Sequence, residues 1–296
     1  MEELALQAGL RYVNDSDPGY YRKPWGRGFT YLDKAGNHIT DEKVRQRLAA
    51  LVIPPAWTEV WICRSPNGHI QATGRDEKGR KQYIYHSAWD EVRNQVKYGR
   101  MPSFATALPA LRAQVDADLR SHQLSWARVV ALVVSLLDKT LLRVGNVAYA
   151  QENGSYGLTT LQDEHTAVSG SHITFSFVGK GGKHQEVTVQ DRRLARQVQK
   201  CQELPGQHLF QYVGEDGARY DLSSTDVNNY LHQYTGQNFS AKDFRTWGAT
   251  IAAAEKLAEL GQAETEAGVE KNLTTAVKHA AEQLGNTYPI CRQYYV

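Results

Sequence analysis

Cysteine is scarce in this sequence. Cys63, Cys201 and Cys291 are far apart, odd in number and form no CxxC pair. That argues against a disulfide framework and a cysteine zinc site, and it fits a reducing compartment, the cytoplasm. Long apolar runs are missing as well. Hydrophobic residues make up 41% of the chain, yet no stretch approaches the roughly 20 consecutive apolar residues that a membrane-spanning helix needs. The start, MEELALQAGL, is acidic and lacks both a basic flank and a small-residue cleavage site, so it does not read as a signal peptide. Neither sign of charge dominates: 34 Lys and Arg against 32 Asp and Glu leave a net charge of +2. A face that attracts a polyanion would have to come from the placement of its bases. No HExxH pattern and no Cys/His set occurs, so no metal site and no cofactor is expected. Internal repeats and low-complexity tracts are absent too.

What is present is a long, strongly patterned segment, WARVVALVVSLLDKTLLRVGNVAY. Trp126, Val129, Val130, Val133, Leu136, Leu137, Leu141 and Val144 recur at steps of three and four, the period of one helical face. The spacing predicts one buried helix over 125–152. Arg143 follows two leucines directly and Tyr149 lies six residues beyond it. An arginine enters a core only where an acid or a phosphate meets it, and the segment alone leaves both partners open.

With 296 residues, two domains are the default. RYVNDSDPGYYRKPWGRG mixes turn formers with aromatics and bases and reads as an ordered surface arm. GFTYLDKAGNHIT suggests a hairpin about LDKAGN. Asp41 caps a short helix to about Val52, stopped by Pro54 and Pro55. EVWICR, HIQATGR and KQYIYH then read as strands separated by SPNG and DEKG turns. KYGRMPSFATALPA, with two prolines, marks a boundary, giving a β-rich domain over 1–98 and a mainly helical one over 99–296. Within the second, a helix is expected over 110–122, followed by the long one, and later helices over 191–203, 224–235, 240–260 and 264–284. HITFSFVGKGGKHQEVTVQ alternates as two strands about a glycine-rich tip. GKGGK lacks P-loop spacing, so its lysine is either solvated or reaches outward to a ligand. Ser240 and Asp243 form a capping box, which places Arg245 in the first turns of an apolar helix. Gly285 ends the last long helix.

Arg143, Lys180, Arg245 and the terminal tyrosines suit one reaction. A phosphodiester needs a nucleophile, a proton donor for the leaving oxygen and cations on its non-bridging oxygens. Arginine grips phosphate oxygens bidentately and stays charged. Four stretches carry a resemblance: LLRVGNVAY, FSFVGKGG, KDFRTWGA and LGNTYPICRQYY, in that order. Together they resemble the poxvirus-like type IB DNA topoisomerases of bacteria, over nearly the whole chain. The resemblance implies an α+β fold of the tyrosine recombinase and type IB topoisomerase kind. It also implies a catalytic set of Arg143, Lys180, Arg245, Asn286 and Tyr295. Asn286 stands where the family commonly has histidine, and it can donate a hydrogen bond but carry no charge.

In GRDEKGRKQYIYH the bases Arg75, Lys78, Arg80 and Lys81 precede Gln82, Tyr83 and Tyr85, and the two tyrosines share one strand face. By the resemblance this strand enters the major groove, the bases on phosphates and the other three facing the base edges, with further DNA contacts from Tyr149 and Lys242. Relaxation of supercoiled duplex DNA through a 3′-phosphotyrosyl link, without ATP or metal, is implied. So are a monomer clamping the duplex and a nucleoid-associated location. The chain ends at Val296, one residue past Tyr295, where relatives continue into a further segment. A tyrosine recombinase shares this chemistry but usually carries HxxR, where this chain has Lys242-Asp243-Phe244-Arg245, and a helical front domain. A non-catalytic duplex-binding protein is the remaining alternative.

Overall fold

The computed structural model describes residues 1–121 and 123–296. The chain divides into two compact units, Met1–Gly99 and Arg100–Val296.

In the first unit a short helix α1 (Glu2–Gln7) precedes strands β1 (Gly19–Trp25) and β2 (Gly28–Leu32). Helix α2 (Glu42–Ala50) follows, then β3 (Thr58–Cys63), β4 (Ile70–Arg75), β5 (Lys81–Tyr85) and helix α3 (Ser87–Gly99). The strands form one antiparallel sheet in the order β2-β1-β3-β4-β5. Two expectations are corrected here. Residues read as a surface arm supply β1, which lies between β2 and β3. The segment 87–99, assigned no structure from the sequence, is the helix α3. Asp41 does cap α2, its carboxylate accepting from the amides of Lys43 and Val44. The core of the sheet is Leu48, Ile53, Val60, Ile62 and Ala72.

The second unit opens with α4 (Met101–Asp118) and α5 (Trp126–Thr140), then a short α6 (Val147–Asn153). Strands β6 (Thr166–Ser169), β7 (His172–Val178) and β8 (His184–Gln190) form a three-stranded antiparallel sheet. Helix α7 (Arg192–Gln202), a small ribbon of β9 (Gln211–Val213) and β10 (Arg219–Asp221), and helices α8 (Ser224–Thr235), α9 (Ala241–Leu260), α10 (Glu266–Gln283) and α11 (Tyr288–Tyr294) complete it.

The prolines misled at α4, which runs through the segment read as a break. Pro102 sits in the first turn, where no amide donor is needed, while Pro109 is interior. An interior proline costs about 3 kcal/mol. Met101, Phe104, Leu108, Leu111 and Val115 are all buried on this helix, at roughly 1.5–3 kcal/mol for each large side chain. Packing outweighs the proline.

The long helix is corrected in the opposite sense. It stops at Thr140, because Leu141 is left-handed at φ 54°. The Thr140 hydroxyl donates to the Leu136 carbonyl at 2.6 Å and accepts from the Leu142 amide at 3.2 Å, replacing helical bonds. Leu141 then packs on Gly248 of α9, where an added Cβ would lie 2.4 Å from Leu141 Cδ2. Residues 143–145 lie outside regular structure, with Leu158 N donating to Arg143 O at 2.9 Å and Thr159 N to Val144 O at 2.6 Å. Gly157 backs onto Gly145 so closely that a Cβ there would meet its Cα at 2.6 Å. Arg143 therefore projects from a pinned loop between α5 and α6.

Candidate active site

Four side chains that are far apart in sequence meet in the second unit. Arg143 Nη2 donates to Asn286 Oδ1 at 2.8 Å. That bond fixes the amide's orientation and leaves Asn286 Nδ2 buried with no well-formed acceptor among the described residues, close enough to the Tyr295 phenol to help lower its pKa. Arg245, 4% exposed, donates through Nη1 to the Leu141 carbonyl and through Nη2 to the Leu284 carbonyl at 3.0 Å. Those acceptors are the C-cap residues of α5 and α10, the negative ends of two helix dipoles. The guanidinium carbon lies 5.4 Å from the Tyr295 ring centre, and Arg245 Nε is buried with no well-formed acceptor among the described residues.

Neither arginine is held by an acid. Among the described residues no ion pair involves Arg143 or Arg245. Asp243, two positions before Arg245, is occupied with its capping box and accepts from Ser240 N at 2.7 Å and Ser240 Oγ at 3.1 Å. The buried-carboxylate reading that the sequence left open for Arg143 thus fails. Burial, and then the neighbouring Arg245, pull the Arg143 guanidinium below its ordinary value.

Tyr295 closes the set. It follows α11, its amide donating to Cys291 O at 2.9 Å, and packs on a cluster built largely from alanines of α9 and α10: Ala249, Ala252, Ala253, Ala276, Ala280 and Ala281. Small side chains let the two helices approach and leave a shelf for α11. Burial alone would raise the Tyr295 phenol, but the charge of Arg245, its hydrogen bonding, the charge of Arg143 and hydrogen bonding from Asn286 together more than offset it and bring it below the ordinary tyrosine value. The two other tyrosines of the tail are placed differently. Tyr288 accepts from Arg292 Nη1 at 2.7 Å, and Tyr294 is 45% exposed.

Lys180 is at the exposed tip of the β7–β8 hairpin, between Gly179 and the left-handed Gly181 and Gly182. Among the described residues no hydrogen bond or ion pair joins it to the other four. Tyr149 is exposed on α6 and Lys242 is exposed in the first turn of α9.

In the first unit, Tyr83 and Tyr85 share a face of β5 with rings stacked at 5.8 Å. Gln82 alternates to the opposite face, alongside Ile84, which packs on the core. Its amide donates to Asp76 Oδ2 at 2.9 Å, so the expected grouping of Gln82 with the two tyrosines does not form. Three of the four bases are paired: Arg75 with Glu59 at 2.8 Å, Arg80 with Asp76 at 2.7 Å and Lys81 with Asp15 at 2.5 Å. The Arg80 hydrogen bond holds the Asp76 carboxyl down to about 2. The Lys78 ammonium is exposed and has no ion pair among the described residues.

Sequence reasoning did not identify the carbonyls of Leu141 and Leu284 as the acceptors that orient Arg245. Backbone acceptors have no residue signature. It also passed over Gln185, whose side chain lies against both Gly179 and Gly285.

Residues 86–293 match the family profile of the eukaryotic DNA topoisomerase I catalytic core, and residues 28–76 match that of the bacterial DNA topoisomerase IB N-terminal domain. The chain belongs to the type IB DNA topoisomerases. The DNA topoisomerase 1B of Acanthamoeba polyphaga mimivirus is 33% identical over 285 residues, covering 94% of this chain and 85% of that one. That of Vaccinia virus (strain Copenhagen) is 23% identical over 291 residues, covering 97% and 82%. Among solved structures, a XerH site-specific recombinase bound to difH substrate, in a pre-cleavage complex, is similar with a TM-score of 0.40 and 13% identity, over 63% of this chain and 47% of that one. The family profiles and the named relatives favour a topoisomerase over a recombinase or a simple DNA-binding protein.

Proposed function

We propose that this type IB topoisomerase relaxes supercoiled duplex DNA by opening and resealing one strand at Tyr295. The observation that carries the reading is the pair of buried donors Arg245 Nε and Asn286 Nδ2, which meet no well-formed acceptor among the described residues and lean on a phenol whose pKa they help to lower. A buried unpaired donor costs about 1–3 kcal/mol. A tetrahedral anion with several acceptor oxygens relieves that cost, and a phosphodiester is such an anion.

In this reading the Tyr295 oxygen attacks phosphorus and loses its proton to solvent. The new bond is a 3′-phosphotyrosyl ester, and the bond from phosphorus to the 5′ oxygen breaks. Lys180 gives a proton to that departing oxygen. Arg143, Arg245 and Asn286 steady the non-bridging oxygens of the five-coordinate transition state. Strand rotation about the intact strand follows, and attack by the 5′-hydroxyl releases Tyr295. No ATP is consumed, because the ester stores the energy of the broken bond. Arg75, Lys78, Arg80 and Lys81, with Tyr83 and Tyr85, are read as duplex contacts of the first unit. Tyr149 and Lys242 are read as contacts of the second, in a protein that acts as a monomer. The test is relaxation of positively and negatively supercoiled plasmid in EDTA without ATP. A strict requirement for magnesium or ATP refutes the reading.

A further inference from the structure

We propose that Gln185 is a positioning residue for Lys180, a wedge that seats the lysine hairpin on the corner carrying Asn286. The inference rests on the reading of Lys180 as proton donor. Gln185 stands opposite Phe177 in the β7–β8 register, half-buried on the inner face of the hairpin. Its Cγ lies where a Cβ on Gly179 would come within 2.9 Å, and Gly179 immediately precedes Lys180. Its Oε1 lies where a Cβ on Gly285 would come within 2.4 Å, and Gly285 immediately precedes Asn286. One side chain thus touches the residue before the proton donor and the residue before the amide that bonds Arg143.

Both glycines are needed for this seat. Gly285 is left-handed at φ 60° after α10 and also leaves the space that the carboxamide fills. Gly179 leaves room for the stem. The hairpin tip has little else to hold it: Gly179 N donates to Lys183 O at 2.8 Å and Gly182 N to Gly179 O at 3.1 Å, and the Lys180 ammonium has no hydrogen-bond or ion-pair partner among the described residues. Among the described residues the Gln185 amide donates only to the carbonyl of its neighbour His184, at 3.2 Å. Its hold on the two glycines is therefore one of shape. A general acid displaced by about 1 Å can lose about 100-fold in rate, which gives a wedge of this kind its effect.

The test is single-turnover cleavage of a duplex with the ordinary 5′ bridging oxygen and of one with sulfur there, whose thiolate departs without a proton. Gln185→Ala should cleave the ordinary duplex more slowly, by up to about 100-fold, and should recover to within a few fold of wild type on the sulfur duplex. Gln185→Asn, one methylene shorter, should behave the same and carries the test if the alanine variant does not fold. Gln185→Met keeps the length and should retain most of the rate, while duplex affinity stays unchanged in all three. Lys180→Ala runs alongside. If sulfur fails to rescue Lys180→Ala, the proton-donor reading falls. If sulfur rescues Lys180→Ala, and the Gln185 variants either keep the wild-type rate or stay slow on sulfur, the wedge is refuted and that reading stands.

Discussion

Replacing Arg245 with lysine separates what its charge does from what its fork does. The guanidinium spans the Leu141 and Leu284 carbonyls and still leaves Nε buried with no well-formed acceptor among the described residues, its carbon 5.4 Å from the Tyr295 ring centre. A lysine ammonium on a flexible stem can reach one of these carbonyls but cannot hold both and also present a fixed donor. One hydrogen bond from a charged donor is worth about 1.5–3 kcal/mol. For a unit of this size each kcal/mol lowers the melting temperature by about 2–4 °C, so Arg245→Lys should melt about 3–12 °C lower. The larger effect is on the reaction. Losing one preorganised donor to the transition state costs about 100- to 1,000-fold. Single-turnover cleavage, stopped with detergent and scored as covalent adduct well below the lowered melting temperature, reads the rate independently of stability. Filter binding of the intact duplex confirms that substrate is still engaged. If Arg245→Lys melts lower but cleaves at the wild-type rate, the side chain is a strut between two helix ends and the electrostatic role assigned to it is wrong.

The lowered Tyr295 phenol sets a pH dependence: on the sulfur-bridged duplex, which needs no proton donor, the cleavage rate should rise with pH to a plateau whose midpoint lies below the ordinary tyrosine value of about 10. Removing either cation, Arg245→Ala or Arg143→Ala, should shift that midpoint upward; an unmoved midpoint removes them as its cause. In salt titrations, Lys78→Ala should reduce the log–log binding slope by about 0.9, because Lys78 alone of the four bases has no ion pair among the described residues. Glu59→Gln and Asp15→Asn should tighten duplex binding by releasing Arg75 and Lys81, and weaker binding by both variants would remove this hairpin from the interface. Gly248→Ala should drive its Cβ into Leu141, costing about 1–3 kcal/mol in denaturant unfolding and slowing cleavage through the displaced Leu141 carbonyl. Unchanged unfolding and rate would show that Leu141 is not held there.

Much of the fold was legible because its signals are local. The alternation in HITFSFV, the capping box at Ser240 and Asp243, and Gly285 after α10 each follow from backbone chemistry within a few residues. Where the reading failed, long-range packing had overridden a local signal. Leu141 keeps the helical spacing of the residues before it, yet Gly248 draws it out of the helix. Pro109 signals a break, but the apolar face of α4 carries the helix through. At the site, the residue types gave the chemistry. They could not show that Arg245 hangs from two helix-terminal carbonyls, nor that Asp243 is spent on a cap. Gln82 was misplaced because strand parity was applied to the tyrosines and not to the residue between them and Lys81.

The most direct measurement is the identity of the residue that becomes joined to DNA. Adduct formed on a duplex labelled at the phosphate that the protein captures, digested and mapped by mass spectrometry, should place the label on Tyr295. Tyr295→Phe should bind the same duplex and yield no adduct. Label on Tyr294 or Tyr288, or adduct from Tyr295→Phe, would contradict the assignment and with it the convergence of Arg143, Arg245 and Asn286 on a single attacking oxygen.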